Sequence, residues 1–221
     1  MTAMLIYLAA IGSIAAWWLS RQRLMAKPWL EVGAAEVRGT GASEVPAAKL
    51  GLWIFLAVVG ALLTLFVSAY LMRMHMSHDW RALPTPSMLW FSTILLALSS
   101  LGLHRAHVAA AIGWRYGIEA GLIAGGLAAL AFLAAQYLAW QQVMNEGFGV
   151  ATNPSSSFFY LITAVHGLHL LGGIIVLGRT TYRAARGAGL AQLRLSVELC
   201  ATYWHFLFVA WIALFGLLLH G

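Results

Sequence analysis

The chain has 221 residues, 62% of them hydrophobic and 9% charged, with a formal net charge of +6 and a mean hydropathy of +0.82. Soluble domains carry about 25% charged residues, so this composition belongs to an integral membrane protein and excludes water-soluble enzymes and nucleic-acid-binding modules. In such a chain the basic excess is read first as topology, and no nucleic-acid partner is expected.

Crossing roughly 30 Å of hydrocarbon takes about 20 apolar residues. Six stretches meet that length, near 2–20, 49–73, 87–107, 117–141, 156–178 and 196–219. They run continuously and do not alternate with polar residues, so the predicted fold is an all-α bundle of six transmembrane helices and not a barrel. The first run is followed by Arg21, Arg23 and Lys27 and is not preceded by positive residues, so 1–20 is expected to stay as an extra amino-terminal span. Segment 21–48 contains Pro28, Gly33, Gly39, Gly41 and Pro46 without a periodic apolar face and reads as a cytoplasmic connection. Residues 49–221 then supply a five-helix bundle. Pro84 and Pro86, and later Asn153-Pro154-Ser155, mark helix entrances. Eleven of the Lys and Arg residues fall in 21–49, 105–115 and 179–194, against Arg73 and Arg81 on the other side. That bias predicts cytoplasmic placement of those three loops, with both termini outside, in the periplasm.

The single cysteine, Cys200, excludes an internal disulfide, a Cys-pair zinc site and a thiolate-bridged dicopper centre. Covalent c-type haem attachment is absent too, since no CxxCH occurs. Ionisable groups at membrane depth are therefore the informative ones, because they persist only with a partner or a task. His166 and His169 share a helix face with Gly173, where a neighbouring helix can approach closely. Glu198 and His205 share a face of the last span, and a chain of hydrogen bonds linking the last two spans is expected. These imidazoles admit two readings: a pair ligating haem between helices, or hydrogen-bonded core residues that tie helices together. No second pair at another depth would complete a two-haem wire, which favours the second reading. Copper on His166 and His169 alone would lack ligands.

His104, Arg105, His107 and Arg115 cluster where spans meet the cytoplasm and suit either a phospholipid phosphate or plain flanking charge. His75, His78 and Asp79 form a small external group whose spacing arises readily by chance. Gln136 is expected to bond to a neighbouring helix, and Gly121, Gly125 and Ala129 form a small-residue packing face. Trp204, Phe208, Trp211 and Phe215 make an aromatic stripe at helical spacing, and Trp53 and Trp140 add bulk. No nucleophile and base, phosphate loop or paired carboxylates assemble, so the chain is not catalytic alone.

His166-Gly167-Leu168-His169 with Gly172-Gly173, then Glu198 with Tyr203-Trp204-His205-Phe206 and Trp211, resemble subunit III of haem-copper terminal oxidases. Lys49 to Leu56, Ile94 to Ser100, and Phe132, Gln136 and Trp140 are similar to its preceding helices. The resemblance implies a subunit of the bacterial inner membrane with no cofactor of its own. Its implied partners are the catalytic subunit I, which holds haem and copper, the other oxidase subunits, and structural phospholipid. It implies support of aerobic electron transport and of oxygen reduction to water. Val59, Ala139 and Phe208 stand where the family commonly has carboxylates, so a proton-collecting role is not carried over. A quinol oxidase or nitric oxide reductase accessory, and a b-type haem anchor, remain alternatives.

Overall fold

The computed structural model describes residues 46–76, 80, 81, 83 and 86–220. The expected span 2–20, the connection up to 45, His78, Asp79 and Pro84 lie outside the described residues. Five helices follow: α1 (Ala47–Met76), α2 (Ser87–Ile112), α3 (Arg115–Asn145), α4 (Pro154–Ala185) and α5 (Leu190–His220). Each is long and apolar enough to cross a membrane, and each contains one of the five spans expected between 49 and 219. They run to between 26 and 32 residues, longer than the apolar runs alone. At 1.5 Å per residue that is about 40–48 Å, the bilayer with its headgroup layers.

Local chemistry sets the ends. Gly113, at φ 78°, ends α2 in the left-handed region, and Trp114 N–H returns to Ala109 O at 3.0 Å. Only a residue without Cβ takes that conformation cheaply. Arg194 from α5 caps the same helix end, its Nε 3.2 Å from Ala110 O and its Nη2 on Ala111 O. Asn153 caps α4, accepting from Ser155 N–H at 3.2 Å, with Pro154 in the first turn.

Helices α2, α3, α4 and α5 pack in a closed ring, and α1 lies outside it against α4 and α5. The tightest pair is α2 with α3, joined by Gly113 and Trp114 alone. A Cβ on Gly102 would come within 2.9 Å of Gly125 N, and one on Gly121 within 2.8 Å of Gly102 O and of Ala106 Cβ. Ser99 Oγ donates to Gly125 O at 2.7 Å across this contact. The ring interior is filled by Trp204 and Trp211, both 0% exposed, with Phe132 and Phe159. Trp53 differs from that expectation of bulk at a contact: it stands exposed on α1, whose only buried residues are Leu56 and Tyr70.

Lys49, Arg115, Arg194 and the α4–α5 loop meet at one end of the bundle, where Arg115 Nη2 donates to Ala188 O at 3.1 Å. Arg81 is at the other, its carbonyl accepting from Asn153 Nδ2 at 3.0 Å. Gly121→Leu should force α2 and α3 apart at a cost of at least about 1–3 kcal/mol and lower the thermal midpoint in detergent. Gly178→Leu, where a Cβ meets nothing within 4 Å, should leave that midpoint unchanged. Equal midpoints would refute the close contact.

Candidate functional site

The imidazoles anticipated in the last two helices are packed into protein, each with its own surroundings. His166 on α4 is 4% exposed; its ring lies 5.9 Å from that of Phe132 and 5.1 Å from that of Trp211, centroid to centroid. Its Nε2 has no hydrogen-bond partner. The cavity beside it, between α1, α4 and α5, is about 80 Å³ and almost wholly apolar. That is smaller than the roughly 150 Å³ space that holds one benzene. His169 turns its Nδ1 to Val165 O at 2.8 Å, within its own helix.

The expected chain of hydrogen bonds between the last two spans does not run through Glu198 or His205. The two share a face, but seven residues of helix separate them by about 10 Å. Glu198 instead pairs with Lys49 of α1 at 2.5 Å, and His205 Nδ1 lies 2.6 Å from Ser100 Oγ of α2. Polar links between α4 and α5 are made by Tyr203, whose hydroxyl donates to His169 O at 2.9 Å, and by Thr180 Oγ1 with Cys200 Sγ at 3.6 Å. Gln136 Nε2 donates to Ser92 Oγ at 3.0 Å, Trp211 Nε1 to Thr93 Oγ1 at 3.0 Å, and Trp140 Nε1 to Thr163 Oγ1 at 2.9 Å. These hydroxyl partners, and Lys49, escaped the sequence reading; small polar residues inside an apolar run are the signal that could have found them.

Gly173 is a close contact: a Cβ there would meet the rings of Tyr203 at 2.7 Å and Trp204 at 2.8 Å. Gly172, expected as a packing position beside it, is not one, since its Cβ would meet nothing within 4 Å. Successive helical residues point about 100° apart, and Gly172 borders an apolar cavity of about 400 Å³ between α1, α4 and α5. Gly102 was the missed partner of Gly121 and Gly125, legible from its four-residue spacing to Ala106.

The expected headgroup residues do not converge. An open groove of about 880 Å³ runs along α2 and α3, lined by His104 and Arg105 but not by His107 or Arg115. Arg115 is engaged with Ala188. The ring of His104 lies 5.5 Å from that of His205. Of the positions without family carboxylates, Ala139 is buried, Val59 lines the cavity beside His166, and Phe208 packs half-buried on the core.

The profile of cytochrome c oxidase subunit III matches residues 54–220. This chain belongs to the cytochrome c oxidase subunit III family. It is 31% identical over 196 residues to cytochrome c oxidase subunit 3 of Thermostichus vulcanus, covering 84% of this chain and 96% of that one. It is 27% identical to the subunit 3 of Synechocystis sp., over 75% and 72% of the two chains, and 28% identical to the probable subunit 3 of Mycobacterium bovis, over 68% and 76%. As a subunit III family member it is an oxidase accessory chain.

The Lys49–Glu198 pair holds the basic end of the outlying helix α1 on α5. Lys49→Glu alone should raise hydrogen exchange of amides 47–53, and Lys49→Glu combined with Glu198→Lys should restore protection. Equal exchange in all three proteins would show that the pair contributes nothing.

Proposed function

We propose that this chain is a non-redox accessory subunit of a respiratory haem-copper terminal oxidase, stabilising the catalytic subunit and retaining phospholipid. The family match over residues 54–220 carries this reading. The packing supports the absence of a redox centre in this chain: Phe132 and Trp211 occupy the space a macrocycle would need beside His166. His205 and His169 spend ring nitrogens on Ser100 and on the Val165 carbonyl. Haem and copper belong to the partner.

The groove on α2 and α3 supports lipid retention. Arg105 stands near its basic end, Leu98 and Leu101 line it further along, and the small residues Ala124 and Ala128 leave width for an acyl chain. A guanidinium that can snorkel toward the basic end, with an apolar slot below it, suits a phosphate and its hydrocarbon tail. The basic end that gathers Lys49, Arg115 and Arg194 is assigned to the cytoplasmic side of a bacterial inner membrane, which places the carboxyl terminus outside. The extra span at 2–20 would make six crossings and place the amino terminus outside as well.

Purification of the tagged chain in mild detergent should bring down a haem-copper catalytic subunit together with phosphorus-containing lipid. Arg105→Ala should reduce the lipid retained per complex without releasing the catalytic subunit. Recovery of the chain without any oxidase subunit would overturn the assignment, and unchanged lipid in Arg105→Ala would overturn the groove.

A further inference from the structure

A polar nitrogen buried in hydrocarbon is costly unless something bonds to it, and His166 Nε2 is such a nitrogen. It belongs to a side chain 4% exposed, well inside α4, and has no hydrogen-bond partner among the described residues. His169, three residues on, shares its helix face, and at that spacing two Cβ atoms lie about 5–6 Å apart. One nitrogen of the His169 ring is committed, with Nδ1 at 2.8 Å from Val165 O. A carbonyl only accepts, so Nδ1 carries the proton, and Nε2 of the neutral ring is a bare acceptor. Both side chains border one cavity of about 80 Å³, whose remaining walls are apolar side chains of α1, α4 and α5.

The size of that cavity and its two imidazoles define what it takes. One water needs about 10–15 Å³ of such volume, so the space admits a few waters and excludes a lipid headgroup. An acyl chain or an apolar gas would fill it but leave the nitrogens unpaired. A metal ion needs more ligands than two imidazoles, and no group of three His, Cys, Asp or Glu side chains gathers to hold one among the described residues. Water both donates and accepts. It can donate to His169 Nε2 and still serve His166 Nε2 in either tautomer. With hydrogen bonds of about 2.8 Å on each side, one water spans the separation of side chains at this spacing. Two polar partners are the fewest that hold a buried water in place, and the two imidazoles supply them.

We propose that the cavity beneath α1 is a hydration site, in which a buried water bridges His166 Nε2 and His169 Nε2. The bridge makes the two imidazoles of His166-Gly167-Leu168-His169 a single hydrogen-bonded unit, and α1 encloses it with Val59, Leu62, Leu63 and Phe66. This goes beyond the accessory-subunit reading and does not depend on it.

The test uses the chain purified in mild detergent with the companion subunits it retains. Cryo-electron microscopy at a resolution that shows ordered water should reveal isolated density within hydrogen-bonding distance of both His166 Nε2 and His169 Nε2. Elongated density entering from the lipid, a companion side chain at His166, or no density there in a map that shows ordered water elsewhere would overturn the proposal. Val59→Phe, which puts a ring into the cavity, should displace the water and lower the thermal midpoint by about 2–4 °C, the scale of one lost hydrogen bond in a chain of this size. In a His166→Leu background the same substitution strands no His166 nitrogen and should leave the midpoint level or raise it. An equal fall in both backgrounds would mark overpacking alone and count against the bridge. An unchanged or raised midpoint in the wild-type background, the response of a dry cavity to filling, would count against it too. Where Val59→Phe does not assemble, the density in the wild-type complex decides by itself.

Discussion

In lipid, burying a leucine against another helix gains little over burying it among acyl chains, so helices associate through close fit and hydrogen bonds. The rest of this structure depends on one such fit, the contact of α2 and α3 at Gly102, Gly121 and Gly125. Backbone meets backbone there, with Ser99 donating across the seam. Interhelical hydrogen bonds in membranes average about 0.6 kcal/mol, whereas forcing a side chain into a filled contact costs about 1–3 kcal/mol. Close fit therefore outweighs any single hydrogen bond at this seam. With α2 and α3 locked as a hairpin, α4 and α5 close the ring around Trp204, Trp211 and Phe132, and the hydroxyl, amide and imidazole bonds set register.

That division of labour explains what this protein does with its polar residues. Ser92 meets Gln136, Thr93 meets Trp211, Thr163 meets Trp140, and Ser100 meets His205. Each bond joins two different helices, and each contains at least one group that would be costly if left unpaired in hydrocarbon. Held in this way, the described helices α2 to α5 interlock as one packed unit. The loosely packed element among the described helices is α1, tied at the basic end by Lys49 and Glu198 and at the other by the ring contacts of Tyr70 with Trp80 and Phe158. The apolar cavities beneath it at Gly172 and at His166 lie between those two ties.

The five helices were legible because lipid demands continuous apolar runs of known length, and the start of α4 because Asn153 and Pro154 carry specific backbone chemistry; the end of α2 at Gly113 was not, since the apolar run alone stops near 107. Periodicity also placed Glu198 and His205 on one face. It could not say what stood opposite, since Lys49 lies 149 residues from Glu198 and Ser100 lies 105 from His205. Partner choice follows from the ring order of the helices, which no local pattern encodes. The adjacent glycines make the same point: Gly173 touches α5 and Gly172 does not, a difference set by the rotation of α4 about its axis. The four basic candidates near the α2–α3 turn were grouped by proximity in sequence, but side-chain direction separates them.

The central claim is that the buried imidazoles serve as contacts between helices and bind no iron. The most direct measurement is a reduced-minus-oxidised absorption spectrum of the chain after detergent separation from its companion subunits. The account predicts a colourless polypeptide with no haem band, whereas a haem retained in stoichiometric amount would contradict it.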